Sequence, residues 1–164
     1  MLNNHSDITI EEWDPQHTRW LELLALVTEL NQRDWFTFTA EWHSSSHVLV
    51  ARRNAEIVGF LRFVLQDIGP DADCPPIPWK GENLREAKVI AFGVVPTQRR
   101  QGIGRKLQEA LQQQAQSLGC YQIRSHSSGD NLANHQLKLS LGYGIHPIIR
   151  GDDRHGVYFI LPLR

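Results

Sequence analysis

A cluster of arginines and glycines is the part of the sequence best suited to bind an anion. The segment reads Arg99-Arg100-Gln101-Gly102-Ile103-Gly104-Arg105. Arginine guanidinium groups form charge-assisted hydrogen bonds with phosphate oxygens. Glycine has no side chain, so a ligand can approach its main chain closely. This composition predicts a loop that binds a phosphate group.

The elements on either side of this loop have the patterns of a strand and a helix. Residues 89–95 are almost continuously apolar, as in a buried strand, and Pro96 ends the run because proline cannot donate to a sheet. From Ile103 to Leu118 apolar residues recur at helical spacing, and Gly119 is a typical residue after a helix end. The first N–H groups of such a helix are free and its dipole attracts negative charge. The unit strand–loop–helix therefore predicts an anion site.

The remaining chain predicts an α/β fold with a mixed sheet. Asp14-Pro15 is expected to begin a helix that extends to Leu30, with Asp14 as its N-cap. A second short helix is expected within residues 35–43, and another over residues 131–141. Strands are expected at residues 7–12, 47–52, 57–67, 121–126, 143–150 and 157–163. The predicted order is β-α-α-β-β-β-α-β-α-β-β.

Residues 68–85 have no regular periodicity. They contain four prolines, two glycines and Trp79. A loop of roughly 18 residues is longer than most connections in a compact domain, and such loops often have a function. It is either a tolerated insertion or a wall of a binding site, in which Asp71, Asp73 and Glu82 would attract a cationic amine.

The composition narrows the class of protein. The chain has 164 residues with 41% apolar and 21% charged residues, so we expect one domain over residues 1–164. The net charge of −1 gives no basic field for nucleic acid. Cys74 and Cys120 are too few for a disulfide framework and are expected to be free thiols. No signal peptide or long apolar run is evident, which favours a cytoplasmic monomer or homodimer without a membrane partner.

The motifs resemble those of the GNAT superfamily of N-acetyltransferases. Residues 99–104 match its pattern (Arg/Gln)-x-x-Gly-x-(Gly/Ala), after an apolar strand that ends in Val-Pro and before an amphipathic helix. A second segment, Asn131…Leu137-Lys138…Leu141-Gly142-Tyr143, resembles the family's Asn…Phe-Tyr…Leu-Gly-Phe. The resemblance covers nearly the whole chain. It implies the GNAT fold, in which a splayed central sheet opens a cleft.

The resemblance also implies a co-substrate, acetyl-CoA, and no metal. Main-chain N–H groups of residues 100–105 would hold the pyrophosphate, and the pantetheine arm would pair with the strand at residues 92–94. The N–H of Val94 would stabilise the thioester oxygen as negative charge develops on it. Asn131 would orient the CoA arm, or it caps its own helix. The implied cofactor-binding residues are Phe92, Gly93, Val94, Arg99, Arg100, Gln101, Gly102, Ile103, Gly104, Arg105 and Asn131.

Acetyl transfer from acetyl-CoA to a primary amine also needs proton transfer. In the family a tyrosine of the second motif often protonates the CoA sulfur, but Lys138 stands there. A lysine can serve as this acid if its pKa is lowered, and His135, one turn earlier, is an alternative. Glu82 and Glu86 precede the central strand and are candidate bases. Lys88 occupies the position of the family's commonest glutamate.

Several alternatives remain open from the sequence. Asp67 and His126, at the ends of neighbouring strands, are further candidate bases. Each candidate acid or base is otherwise a solvated or hydrogen-bonded residue without a catalytic role. Trp35, Phe36, Phe38 and Trp42 either line the acceptor wall or pack in the core. The acceptor is expected to be a small-molecule or peptide amine that attacks directly in a ternary complex. The alternative function is a catalytically weak acyl-CoA-binding sensor, which the lysine at position 138 suggests.

Overall fold

The structure, a computed structural model, describes residues 8–147 and 156–164. This part of the chain forms a mixed seven-stranded sheet, a separate two-stranded hairpin and four α-helices. The predicted α/β class is confirmed, and so is the predicted order of the helices and the seven sheet strands. The hairpin lies within residues 68–85, where the sequence predicted only a loop. The strands are β1 Ile8–Trp13, β2 His43–Arg53, β3 Glu56–Asp67, β4 Pro78–Trp79, β5 Glu82–Asn83, β6 Arg85–Val94, β7 Gln122–Ser127, β8 Gly144–Pro147 and β9 Val157–Pro162. The helices are α1 Trp20–Glu29, α2 Arg33–Thr37, α3 Ile103–Ser117 and α4 Leu132–Ser140.

Helices cover both faces of the sheet. The strand order is β1-β2-β3-β6-β7-β9-β8, and every pairing is antiparallel except β6 with β7. In β2, Leu49 packs in the core cluster that contains α3, whereas Val48 and Val50 pack in the cluster that contains α1 and α2. Successive side chains of a strand point to opposite faces. The central strand β3 is therefore buried on both sides, which explains its nearly continuous apolar sequence.

The first helix begins later than the sequence predicts. Asp14 does not cap a helix, because its Oδ1 accepts a hydrogen bond from the N–H of Gln16 (2.7 Å) and its carbonyl accepts from His17 (3.0 Å). These bonds close a local turn, and the helix begins only at Trp20. Aspartate readily makes such a turn in place of a helix start.

Other predicted elements are close to those observed. The short second helix lies at Arg33–Thr37, a little before its predicted position, and Gly119 follows α3 with a φ of 77°. The region 68–85 contains a 3₁₀ turn at Pro70–Ala72 and the hairpin β4–β5. The predicted strand end at residues 148–150 and most of the following turn lie outside the described residues.

The sheet opens between β6 and β7. Strand β6 pairs with β3 from Arg85 to Val94, but its parallel pairing with β7 covers only Glu86 to Val89. Ile90 is an extra residue in the β3–β6 register, a β-bulge that bends the strand at this point. Beyond Val89 the two strands diverge, which confirms the splayed central sheet. The last residues of β6 therefore present an open edge.

In the described ranges, no helix is long and apolar enough to cross a membrane. Cys74 is exposed, Cys120 is buried, and both are free thiols.

Candidate functional site

A cleft of about 1640 Å³ lies where the sheet opens. Its walls come from the end of β6, the loop before α3, the end of β7, the start of α4 and the segment around α2. Pockets for one small ligand usually span roughly 300 to 1,000 Å³. This cleft is therefore large enough for more than one small ligand beside the open edge of β6.

The glycine loop lies at one end of the cleft. Gly102 is the N-cap of α3 with a φ of 80°, in the left-handed region that glycine adopts easily, and no side chain caps the helix. A Cβ atom at Gly102 would meet nothing within 4 Å, so this position faces open space. At Gly104 a Cβ would lie 3.2 Å from Phe92 Cζ and 3.3 Å from Leu137 Cδ2. Gly102 therefore opens the helix start to a ligand, and Gly104 allows close packing.

The positive charge of the loop is not neutralised by the protein. Arg99, Arg100 and Arg105 all line the cleft. Arg99 Nε donates to the carbonyl of Val94 (3.1 Å), and Arg105 Nη2 donates to Ser140 Oγ (2.7 Å). Among the residues that the structure describes, no carboxylate forms an ion pair with these three arginines. Three arginines without a carboxylate partner among the described residues, at an uncapped helix N-terminus, could bind a phosphate-bearing ligand.

Gln32 occupies part of the open edge of β6. Its side-chain amide donates to the carbonyl of Phe92 (2.7 Å) and accepts from the N–H of Phe92 (3.0 Å). The main-chain groups of Phe92 therefore point away from β3 and toward the cleft. Groups two residues apart in a strand point the same way, so those of Val94 also face the cleft. The sequence carries no signal for Gln32, because its partner is 60 residues away.

A charged cluster lies at the other end of the cleft. Asp71, from the 68–85 region, accepts a hydrogen bond from Lys88 Nζ (2.6 Å) and pairs with Arg124. Arg124 also pairs with Glu86 (2.8 Å). Burial alone would raise the pKa of the Asp71 carboxyl, but the hydrogen bond from Lys88 and the charges of Lys88 and Arg124 lower it. Burial lowers the pKa of Lys88, against the opposing effect of Asp71.

An aromatic surface faces this charged cluster. Trp35, Phe38 and Trp42 line the cleft and are exposed, whereas Phe36 is buried in the core. The sequence left open whether these four aromatic residues line the acceptor wall or pack in the core. Three of them line the cleft, and Phe36 packs in the core. His43 does not line the cleft itself, but its ring makes edge contacts with both Phe38 and Trp42 and so links them.

The structure brings nearly all the predicted cofactor-binding residues to one cleft. The lining includes Phe92, Gly93, Val94, Arg99, Arg100, Gly102, Ile103, Gly104, Arg105 and Asn131. Gln101 is outside it, and its Oε1 accepts from Arg53 Nη1 (2.6 Å). Asn131 caps α4 through a bond from the N–H of Asn134 (3.3 Å) while it also lines the cleft, so its two predicted roles are compatible.

The predicted acid and base residues lie elsewhere. Lys138 is fully buried between α3 and α4, where its Nζ donates to Gln108 Oε1 (3.1 Å) and burial lowers its pKa to about 7. His135 Nε2 donates to the carbonyl of Ser128 (2.9 Å). Glu86 is buried in the charged cluster, and Glu82 is exposed on β5. None of the predicted acid and base side chains, Lys138, His135, Glu82 and Glu86, lines the cleft, so the geometry gives no support to their assigned roles.

Other groups that can transfer protons do line the cleft. The sequence left His126 and Asp67 open as candidate bases. His126, at the end of β7, lines the cleft, whereas Asp67 lies outside the cleft and accepts a hydrogen bond from Asn83. Tyr158 on β9 is a residue that the sequence did not indicate. Its ring lies 5.5 Å from that of His126 and 4.9 Å from the guanidinium carbon of Arg124. The antiparallel register of β7 and β9 places Tyr158 opposite His126, and this pairing is a long-range feature.

The fold occurs in several solved acyltransferase structures. A proposed acyl-CoA N-acyltransferase from Klebsiella pneumoniae is 19% identical with a TM-score of 0.67, over 97% of this chain and 99% of that one. The ribosomal-protein-S18-alanine N-acetyltransferase from Escherichia coli is 20% identical with a TM-score of 0.60, over 96% and 94%. NAA60 from Arabidopsis thaliana in complex with acetyl-CoA is 16% identical with a TM-score of 0.64, over 94% and 97%. At these identities the likeness concerns the fold.

The family model gives the assignment by sequence. No curated protein matches the chain. The model of the acetyltransferase (GNAT) family matches residues 8–143, which contain the whole splayed region of β6, the glycine loop and α4. The chain belongs to the GNAT acetyltransferase family.

Proposed function

We propose that the protein transfers the acetyl group of acetyl-CoA to a primary amine, which attacks directly in a ternary complex. The observation that carries this proposal is the glycine loop, whose three arginines have no carboxylate partner in the described chain and lie at the open start of α3. Family membership and the acetyl-CoA complex of a structural neighbour support the choice of co-substrate. Bound acetyl-CoA would supply an activated acyl thioester.

The residues of the loop fit the phosphates of such a molecule. Arg99, Arg100 and Arg105 would provide charge, and the N–H groups of residues 100–105 would provide donors. The space in front of Gly102 would remain free for the pyrophosphate. The N–H of Val94 faces the cleft and would stabilise an oxyanion there.

Proton transfer is assigned to groups that line the cleft. The imidazole of His126 would accept the proton of the amine, and the phenol of Tyr158 would donate one to the leaving sulfur. A Tyr158→Phe variant keeps the ring and its contact with Arg124, so it is expected to lower kcat about tenfold or more without weakening acetyl-CoA binding. An unchanged kcat would exclude Tyr158 as the acid.

Calorimetric titration with acetyl-CoA tests the loop. Gly102→Glu would place a carboxylate in the open space beside the phosphates, and we expect more than about tenfold weaker binding. Gly81→Glu is a matched control, because Gly81 has a φ of 84°, also has nothing within 4 Å, and lies outside the cleft. Absence of binding to the wild type, or equal binding to both variants, would refute the assignment.

A second candidate function is acyl-CoA binding with little catalysis, as in a sensor. Lys138 is buried at the family's tyrosine position, and this observation favours it. An activity assay with a broad panel of primary amines separates the two functions. Its readouts are the release of the CoA thiol and the mass of the acetylated product. Turnover of any acceptor at enzymatic rates would eliminate the sensor; tight binding without turnover would support it.

A further inference from the structure

Three aromatic residues of the cleft are connected through the ring of His43, which lies next to the lining. We use the name aromatic wall for Trp35, Phe38, His43 and Trp42. The ring centroids of Trp35 and Phe38 are 6.3 Å apart, those of Phe38 and His43 are 5.8 Å apart, and those of His43 and Trp42 are 6.4 Å apart. Trp35 is 63% exposed although it is a large apolar residue. A contiguous exposed aromatic surface in a cleft commonly marks a ligand site.

A buried arginine holds the segment that carries the wall. Arg62 on β3 is 5% exposed, and its Nη1 donates to the carbonyls of Trp35 (3.5 Å) and Phe38. Its Nη2 donates to Thr39 Oγ1 (3.3 Å), and its Nε donates to Ser46 Oγ (2.9 Å). A buried guanidinium needs most of its donors satisfied. The main chain at Trp35, within α2, and at Phe38, just after it, is therefore fixed by Arg62, and the two aromatic rings are fixed with it.

The charges around the wall indicate which substituent it would accept. Within the described residues Arg62 has no carboxylate partner, and Lys88 and Arg124 share Asp71. Burial lowers the pKa of His43, and the positive charges of Lys88 and Arg62 lower it further, while the charge of Asp71 opposes them. Arg124 also pairs with Glu86, so Arg62 is the cation of this group that has no carboxylate partner among the described residues. A second ammonium group on the wall would lie near the charge of Arg62. A neutral aromatic or bulky apolar group would not be repelled by this charge.

We infer that the acceptor amine carries an aromatic or bulky apolar group that lies on the aromatic wall, and that Arg62 is the positioning residue of this wall. This inference rests on the proposed acetyl transfer. Asp73 lines the same end of the cleft and adds one negative charge that attracts the amine in its ammonium form. The ammonium first gives one proton to the base, and the neutral nitrogen then attacks the acyl carbon. As the amide forms, the nitrogen loses a second proton, the carbon–sulfur bond breaks, and the sulfur takes up a proton from the acid and leaves as a thiol.

The first test compares acceptors at saturating acetyl-CoA. The probes are 2-phenylethylamine and tryptamine, a short peptide that begins with phenylalanine, and the aliphatic amines butane-1,4-diamine and spermidine. We expect kcat/KM at least about tenfold higher for the aromatic probes than for the diamine. The free amines and the peptide separate a small-molecule acceptor from a peptide amino terminus. Equal or better activity with the aliphatic amines would overturn the inference.

A matched pair of variants tests the wall itself. Trp35→Ala removes a ring that is 63% exposed, and Trp79→Ala removes one that is 61% exposed outside the cleft. We expect the KM for 2-phenylethylamine to rise about tenfold in Trp35→Ala only, with the KM for butane-1,4-diamine and the affinity for acetyl-CoA unchanged. Equal KM values in the two variants would refute the role of the wall.

The positioning role of Arg62 is tested by the selectivity of the enzyme for aromatic over aliphatic amines, and not by the stability of the variants. Arg62→Lys and Arg62→Met are expected to raise the KM for the aromatic amine while acetyl-CoA affinity stays the same. Thr39→Val removes one exposed acceptor of Arg62, so it provides a milder variant if the Arg62 variants do not fold. The readout is the ratio of kcat/KM for the aromatic amine to kcat/KM for the aliphatic amine. If this ratio is unchanged in all three variants, Arg62 does not position the wall. If the Arg62 variants do not fold, an unchanged ratio in Thr39→Val leads to the same conclusion.

Calorimetric binding of 2-phenylethylamine in the presence of CoA gives a readout that does not depend on turnover. Binding that Trp35→Ala weakens would support the inference even if acetyl transfer is not detected. Absence of binding would refute it. Loss of acetyl-CoA binding by the wild type would instead refute the proposed function, so the two failures are distinguishable.

Discussion

Replacement of Lys138 by methionine should stabilise the protein at neutral pH. The Lys138 side chain is fully buried between α3 and α4, and no carboxylate of residues 8–147 or 156–164 forms an ion pair with it. Its Nζ has one hydrogen bond, from Nζ to Gln108 Oε1, and lies 4.7 Å from the ring centre of Tyr143. Methionine has a similar length and no charge. In Lys138→Met, Gln108 Oε1 would still accept a hydrogen bond from Tyr143 Oη.

The magnitude follows from the pKa of the buried amine. Burial lowers the pKa of Lys138 from 10.5 to about 7, so in the native state the neutral form is favoured. Between these values the unfolded state binds more protons, and stability therefore rises with pH. The penalty is largest below the folded-state pKa, is about 4 kcal/mol at pH 7 and is about 2 kcal/mol at pH 9. Loss of the hydrogen bond to Gln108 offsets about 1 kcal/mol of the gain.

The assay is urea unfolding at both pH values, with tryptophan fluorescence as the signal. We expect Lys138→Met to be more stable than the wild type by about 3 kcal/mol at pH 7 and about 1 kcal/mol at pH 9. Lys106→Met, an exposed lysine of α3, is the control and should leave the free energy of unfolding nearly unchanged. If wild type and Lys138→Met change in parallel between the two pH values, the buried amine is not destabilising and the argument fails.

Three further predictions concern the site and its support. Glu86→Gln should reduce the free energy of unfolding by roughly 3 kcal/mol, because it breaks the buried ion pair with Arg124; an unchanged urea midpoint would contradict this. Gly93→Ala should cost about 1–3 kcal/mol, because the new Cβ would lie 3.0 Å from Phe60 Cζ, and thermal melting measures the loss. Asp71→Asn should loosen residues 68–85, so limited proteolysis there should be faster than in the wild type. Equal cleavage rates would show that the Asp71 ion pairs do not hold this segment.

Features that depend on local sequence were predictable. The glycine loop and α3 follow from residues that are close in the chain, as does the cap of α4. The error at Asp14 is local as well, because an aspartate before proline can close a turn or begin a helix. The fold class then follows from the element order. A helix that connects two strands, as α3 connects β6 and β7, is typical of a parallel strand pair in an α/β fold.

Features that depend on long-range contacts were not predictable from the chain. Gln32 bonds to Phe92 across the fold, Arg62 bonds to the segment after α2, and Tyr158 reaches the cleft only through the register of β9. The predicted catalytic role of Lys138 depended on the direction of its side chain, which the sequence did not indicate. Leu137 faces the cleft, and the next residue of a helix points about 100° away. The lysine therefore enters the core.

The edge of β6 has a consequence for the behaviour of the protein in solution. An unpaired strand edge is a template on which another chain can add a strand, which leads to aggregation. In this protein the amide of Gln32 satisfies both main-chain groups of Phe92, and Arg99 occupies the carbonyl of Val94. A second copy of the chain would have to break these bonds before it could pair there. The cleft can thus stay open for small ligands while the protein remains protected against edge-to-edge association.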